Sequence, residues 1–444
     1  MRSADDRLAA DSGASNAGLT RRRLLRAATV TIGSMALLGC GGASEAESPA
    51  ALGTAPSPGP QPPAPLPPPP PPPPPSPSPP SPSPSPSPPS PSPSPSPPSP
   101  SPSGMPTWLS GKAALTWIAI PNTKLADAQQ GFTSPGGEKA YVCAYSGACV
   151  KEAGSEVFLA GGGHADYAGN EVYTLRLQDD APKWVRRRNP TPAVYPSHLI
   201  GQAYYSDGRP TSRHTYWHIQ FINARNRMFY IGGAAIWGNG NGTTLTVDAF
   251  DPERNDYEPA GTYASLPANA VYVAQGVAKD GYENVWLQHP GGRIYRWDRV
   301  SAMTTLVAER SVYDIDTPFC VDPVRNRLVR FDSRLGASFD LNNNAAETKV
   351  TFRGLHAAKV TTHSSVIWCA GRGTFLLFRW NENGVYEIHP ETFEVTELAV
   401  AGTRPPVPPN DGVADMYGRW FYAPELRLCG YIRSVDDPVW VFRV

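Results

Sequence analysis

Histidine, tyrosine and arginine side chains crowd two short stretches of this chain, and their types suggest what they could do. The first stretch is Gly163-His164-Ala165-Asp166-Tyr167. The second is Arg213-His214-Thr215-Tyr216, reached through a long connection that holds His198, Tyr204 and Arg209. Trp237 and Asn239 follow in a Gly/Asn-rich run, and His289 lies further on. Aromatic platforms flanked by Arg, Asn and His donors suit a carbohydrate polymer, because rings stack on pyranose faces while polar groups read hydroxyls. On this reading Asp166, His198, Tyr204, Arg209, Trp237, Asn239 and His289 contact the ligand. The same set would also serve a polysaccharide lyase. There Arg213 or Arg209 would neutralise a uronate carboxylate, His214 or His164 would abstract the adjacent proton, and Tyr216 or Tyr167 would protonate the leaving oxygen. Binding without catalysis is the leading expectation and lyase chemistry the alternative. His164, Asp166 and His214 could together approach a metal, but no Cys/His spacing typical of a zinc site occurs, so neither metal nor cofactor is assigned.

These residues need a scaffold, and the chain supplies a repeated one. Residues Glu156–Leu177, EVFLAGGGHADYAGNEVYTLRL, read as a β-hairpin: two apolar runs separated by glycine-rich turn chemistry. Its relatives recur downstream. One recurrent piece is strand, tight polar turn, strand, as in Ile219–Gly233, Phe319–Phe331, Ile367–Phe378 and Phe421–Ile432. The other adds an outer strand, as in Glu171–Val185, Val247–Pro259, Arg293–Val307 and Gly384–Leu398. Joined, they make four-stranded antiparallel units at roughly 45-residue spacing, the period of a propeller blade. The expectation is all-β: six blades, with room for a seventh in the Asn189–Ser212 connection. The last unit, Pro438–Val444, lacks an outer strand, and Leu115–Ile120 matches the missing one, so pairing the two closes the ring. In such blades the loops before strand one and between strands two and three share a face. All eight histidines except His389 map to that face or beside it, which marks it as the functional one. Plainer roles exist for each: His214 bonding a neighbouring blade, His164 steadying its glycine loop, Trp237 filling the channel mouth.

Composition bounds the rest. Of 52 prolines, most fall between Pro56 and Pro102, where extended polyproline II is the only regular conformation open to the chain. Composition places a Pro/Ser-rich linker before the propeller at 105–444; the resemblances given below imply 1–39 as an export signal and 40–104 as an attachment site plus that linker. A formal net charge of +0 gives no reason to expect nucleic acid, and a monomer is expected. Cys143 and Cys149 flank a short turn and are candidates for a disulfide; Cys320, Cys369 and Cys429 sit in apolar runs and read as buried thiols.

Three resemblances add to this. Thr20–Arg26 with the apolar run Ala27–Leu38 resembles a twin-arginine export signal, and Leu37-Leu38-Gly39-Cys40 resembles a bacterial lipobox. Together they imply an extracytoplasmic lipoprotein of the cell envelope, touching the membrane only through a lipid on Cys40. The glycines at 161–163 and 232–233, with Tyr173 and Trp184, resemble the kelch repeat, as in the central domain of galactose oxidase. That implies a propeller, which hosts many functions. A galactose-oxidase-like copper site would need a Cys crosslinked to Tyr, a second Tyr and two His ligands. No Tyr-His dipeptide occurs, so the copper reading ranks last.

Overall fold

The computed structural model describes residues 104–129, 145–163, 167–192, 201–237, 242–362, 364–379, 381–382, 384–407 and 416–444. Six four-stranded antiparallel sheets stand as blades in a ring. A short strand, β1 (Ile118–Ala119), comes first. Blade 1 is β2 (Gly147–Lys151), β3 (Glu156–Ala160), β4 (Tyr173–Arg176) and β5 (Trp184–Arg186). Blade 2 is β6 (Ile219–Ile222), β7 (Arg227–Ala234), β8 (Thr243–Asp251) and β9 (Asp256–Tyr257). Blade 3 is β10 (Gly276–Lys279), β11 (Val285–Gln288), β12 (Arg293–Trp297) and β13 (Thr304–Glu309). Blade 4 is β14 (Phe319–Asp322), β15 (Arg327–Arg330), β16 (Ala337–Asp340) and β17 (Ala346–Lys349). Blade 5 is β18 (Ser365–Cys369), β19 (Thr374–Arg379), β20 (Gly384–Ile388) and β21 (Val395–Glu397). Blade 6 is β22 (Trp420–Ala423), β23 (Leu428–Tyr431), β24 (Trp440–Arg443) and, outermost, β1.

The first strand of each blade is innermost. β2 packs on β6, β10 on β14, β14 on β18, β18 on β22, and β22 back on β2. Second strands are covered by neighbouring blades on both faces, so they carry unbroken apolar runs: all five residues of β3 are buried. The outer strand β13, with one face on solvent, has no fully buried residue. Each gap between neighbouring blades holds its own apolar core, for example Phe158, Phe221 and Met228 between blades 1 and 2. The turns repeat as well. Asn226 and Asn326 hold left-handed φ of 49° and 46°, a conformation asparagine tolerates better than most residues, which accounts for the recurring Arg-Asn-Arg.

The ring closes as expected. Ile118 pairs with Val441 and Ala119 with Trp440; the Leu115 amide donates to Arg443 at 2.8 Å and the Ile120 amide to Val439 at 2.9 Å. The number of blades is six. The described parts of the 189–212 connection, 189–192 and 201–212, hold no blade strand, only an isolated bridge between Tyr204 and Pro210. Of the expected disulfide pair, Cys149 alone lies among the described residues. Strand alternation on β2 sends its side chain into the gap beside Phe158 and Phe221, where it is a free buried thiol, raised to about 12 by burial. Cys143 and Cys40 lie outside the described residues.

Candidate functional site

At the end of the axis where the histidines gather, one residue in each of blades 1, 2, 3, 4 and 6 leads into the innermost strand with a left-handed backbone: Tyr145 (φ 61°), Tyr216 (42°), Ala274 (49°), Asp316 (63°) and Tyr417 (39°). Each stands two or three residues before its strand. Hydrogen bonds run between blades at this level. The Tyr216 amide donates to the Tyr145 carbonyl at 2.9 Å, the Asp316 amide to Ala274 at 3.1 Å, and the Gly418 amide to Tyr216 at 3.2 Å. Bulky residues at positive φ cost on the order of 1–3 kcal/mol each and persist where the surroundings fix them, commonly at working sites.

The tyrosine rings converge. Tyr216 stands edge-on to Tyr417, with centroids 4.8 Å apart, and Trp217 edge-on to Tyr417 at 5.0 Å. Tyr417 donates its hydroxyl to Asp316 at 2.9 Å. His214 lies against this cluster. Its ring stacks on Tyr145 at 4.4 Å, and its Nδ1 is 3.0 Å from the Tyr216 hydroxyl. Its backbone pairs with Ala234 of β7, in the blade it leads into. His214 and Tyr216 are buried, whereas Tyr145 is partly exposed. Below them the inner strands enclose an axial cavity of about 350 Å³. It extends to the opposite face at Gly281, Pro323 and Pro424 and ends at Trp217 and Gly418 under the tyrosines.

The glycine signature has a local cause in the same segment. A Cβ on Gly163 (φ 90°) would sit 2.4 Å from the Ala235 carbonyl and 2.5 Å from Arg213 Cα; one on Gly233 would meet Arg213 Cδ at 2.5 Å. Glycines of blades 1 and 2 therefore let the Arg213–His214 segment pass between them.

A scan against protein-family models finds no match, and a search of curated proteins finds no relative. The site has to be read from its own chemistry.

Arg213 is fully buried, and each of its guanidinium nitrogens meets a protein acceptor. Nε donates to Thr211 O, Nη2 to Ala203 O, and Nη1 to Thr246 Oγ1 at 3.2 Å and Asp248 Oδ2 at 3.4 Å. Tyr204 donates to the other Asp248 oxygen at 2.9 Å, and burial beside that carboxylate pushes its hydroxyl up to about 12. Arg209 clamps Asp256 in a bidentate pair at 2.9 and 2.7 Å and reaches Asp207 at 2.8 Å. Tyr167 is buried and donates to Glu171, which also accepts from Tyr173 at 3.1 Å; burial raises the Glu171 carboxyl above its usual range. Trp237 is partly exposed and packs against Ala168 and Tyr205. His289 lies apart on blade 3, its Nδ1 accepting from the Gly291 amide at 2.9 Å; burial first, then Arg293, lower its pKa. His164, Asp166, His198 and Asn239 lie outside the described residues.

Sequence reasoning missed Tyr145, Asp316, Tyr417 and Tyr272. The first three share one position relative to the innermost strand, and aligning the blades on that strand would have exposed them. Tyr272, which is 41% exposed and edge-on to His289 at 5.3 Å, was hidden in an apolar run that reads as strand. Among the described residues no group of three His, Cys, Asp or Glu side chains converges as a metal site.

His218, also on this face, is a core histidine. Burial holds it down at about 4, against an ordinary 6.5, with Nδ1 2.9 Å from the Ile231 carbonyl. The unfolded chain binds this proton and the folded one does not. Stability from His218 is therefore complete above the unfolded value and lost as pH falls toward the folded one. The urea midpoint should drop between about pH 7 and about pH 5 and drop less in His218→Gln; equal pH dependence in both proteins would contradict this.

Proposed function

We propose that this protein is an extracytoplasmic, lipid-anchored propeller of kelch-like type that binds a carbohydrate polymer on its histidine-bearing face. The observation that carries the reading is the set of axial tyrosines held at positive φ, with partly exposed Tyr145 laid over His214. A ring held flat beside a histidine and hydroxyl groups is the pairing a sugar surface requires, and strained backbone at one end of the axis marks that end as selected for more than folding. Exposed Tyr272 beside His289 offers a second platform on the same face. Export and anchoring rest on the Arg21–Arg23 signal and the motif ending at Cys40, and the kelch assignment on the glycines that cradle Arg213.

A second reading, a polysaccharide lyase, is supported by the 3.0 Å contact between His214 Nδ1 and the Tyr216 hydroxyl, which brings a base and an acid together. Against it stand Arg213 and Arg209, whose guanidiniums already face Asp248, Asp256 and Asp207. A uronate would have to compete with those carboxylates. The binding reading therefore leads.

The test is a panel of neutral and acidic polysaccharides, scored for binding and for new ultraviolet absorbance from unsaturated uronate. Binding without absorbance is expected, weakened about tenfold in Tyr145→Ala and in Tyr272→Ala. Absorbance that vanishes in Tyr216→Phe would install the lyase reading instead. Failure to bind any polysaccharide would overturn both.

A further inference from the structure

We infer that Cys369 and Cys429 join in a disulfide that fastens blade 5 to blade 6. Cys369 ends β18, and Cys429 lies within β23 of the next blade. Both are wholly buried free thiols in one apolar cluster with Phe378, Trp420 and Phe442. The backbone around them is pinned across the gap from both sides. The Gly371 amide donates to the Tyr422 hydroxyl at 3.0 Å, Arg427 Nη2 donates to the Gly371 carbonyl at 3.0 Å, and Trp420 Nε1 donates to the Leu376 carbonyl at 3.1 Å. Tyr422 is the register partner of Cys429, and Gly371 follows Cys369 by two residues. Directly opposed residues of antiparallel strands share a face, so Cys429 lies on the face from which Tyr422 reaches Gly371, beside the end of β18 that carries Cys369. The other described thiols have no such partner: Cys149 sits between blades 1 and 2, and Cys320 packs between blades 4 and 5.

The chemistry requires an oxidant that is itself a disulfide, such as the oxidised dithiol of an extracytoplasmic oxidoreductase, or oxidised glutathione in a test tube. Cys369 is the attacking sulfur. Neighbouring Cys429 and then Arg372 hold its thiol below the ordinary range, while burial raises Cys429. The Cys369 thiolate displaces one sulfur of the oxidant as a thiolate, giving a mixed disulfide. Cys429, losing its proton, then displaces the second. Two protons and two electrons leave the pair, and the oxidant becomes two thiols.

The pair is distinct from the proposed glycan face and does not depend on it. Its place in the ring gives it a purpose. Blade 6 takes its outermost strand from the N-terminal segment, so a covalent link between blades 5 and 6 guards the gap beside the closing seam.

The test refolds the full chain from denaturant in a mixture of oxidised and reduced glutathione, alkylates remaining thiols under denaturing conditions, and maps the peptides by mass. A linked Cys369–Cys429 peptide, lighter by two hydrogens than the reduced pair, is expected, with Cys320 alkylated. Reductant should lower the melting temperature of this sample by several degrees. In Cys369→Ser, Cys429 should become alkylatable, and in Cys429→Ser, Cys369. Alkylation of both cysteines after oxidising refolding, or a link from either to another cysteine, would overturn the inference. Should the serine variants fail to fold, the peptide map of the unsubstituted chain decides alone.

Discussion

Trp117→Asp should open the ring and remove most of the stability of the domain. Trp117 is 5% exposed beside β1, edge-on to Phe442 at 4.9 Å and to Phe378 at 5.9 Å, so it is packed by both blade 6 and blade 5. Its amide also donates to the Ala401 carbonyl at 2.9 Å, tying the closing strand to the chain leaving blade 5. Truncating a buried tryptophan costs about 3–5 kcal/mol, and a carboxylate placed in that apolar gap adds several more unless it takes a proton. Against the 5–15 kcal/mol typical of a folded domain, roughly half or more of the stability is lost. The measurement is the urea midpoint, with Leu306→Asp as the control. Leu306 is 52% exposed on outer strand β13, and its replacement should shift stability by only about 0.5 kcal/mol. Equal midpoints for the two variants would show that the seam does not depend on this side chain.

Arg213→Ala should be nearly as damaging, for a different reason. Removing the guanidinium leaves Asp248, itself 5% exposed, facing only Tyr204 and Thr246, and it frees the carbonyls of Ala203, Thr211 and Gly232 that Arg213 satisfied. Breaking a buried ion pair by deleting one partner costs about 3–5 kcal/mol. The arginine also lies over the Tyr230 ring at 5.5 Å. The double variant Arg213→Met with Asp248→Leu should regain much of the loss, because the stranded charge goes with it. A stability equal to the unsubstituted protein in Arg213→Ala would mean that the guanidinium is not committed to the fold, and would return it to the role of a substrate-facing carboxylate neutraliser.

The sequence by itself determined the architecture and the closure. Strand alternation, the Arg-Asn-Arg turns and the spacing of strand pairs are local signals, because side-chain period and turn chemistry are set within a few residues. The closing strand was legible for the same reason: the last unit lacked a partner, and Leu115–Ile120 had the pattern to supply it. What only the tertiary structure decided is which polar side chains the fold itself consumes. Arg213 and Tyr204 look like site residues until Asp248, on a strand of blade 2, is brought between them, and nothing in the local pattern announces that meeting. The axial tyrosines belong to blades 1, 2 and 6 and become neighbours only because the ring brings the ends of its innermost strands together. Cysteine pairing follows the same rule. Cys149 flanks a short turn in the sequence, and alternation on β2 turns it into the gap between blades 1 and 2. Cys369 and Cys429 are far apart in sequence, yet the packing of blade 5 on blade 6 brings both into one apolar cluster.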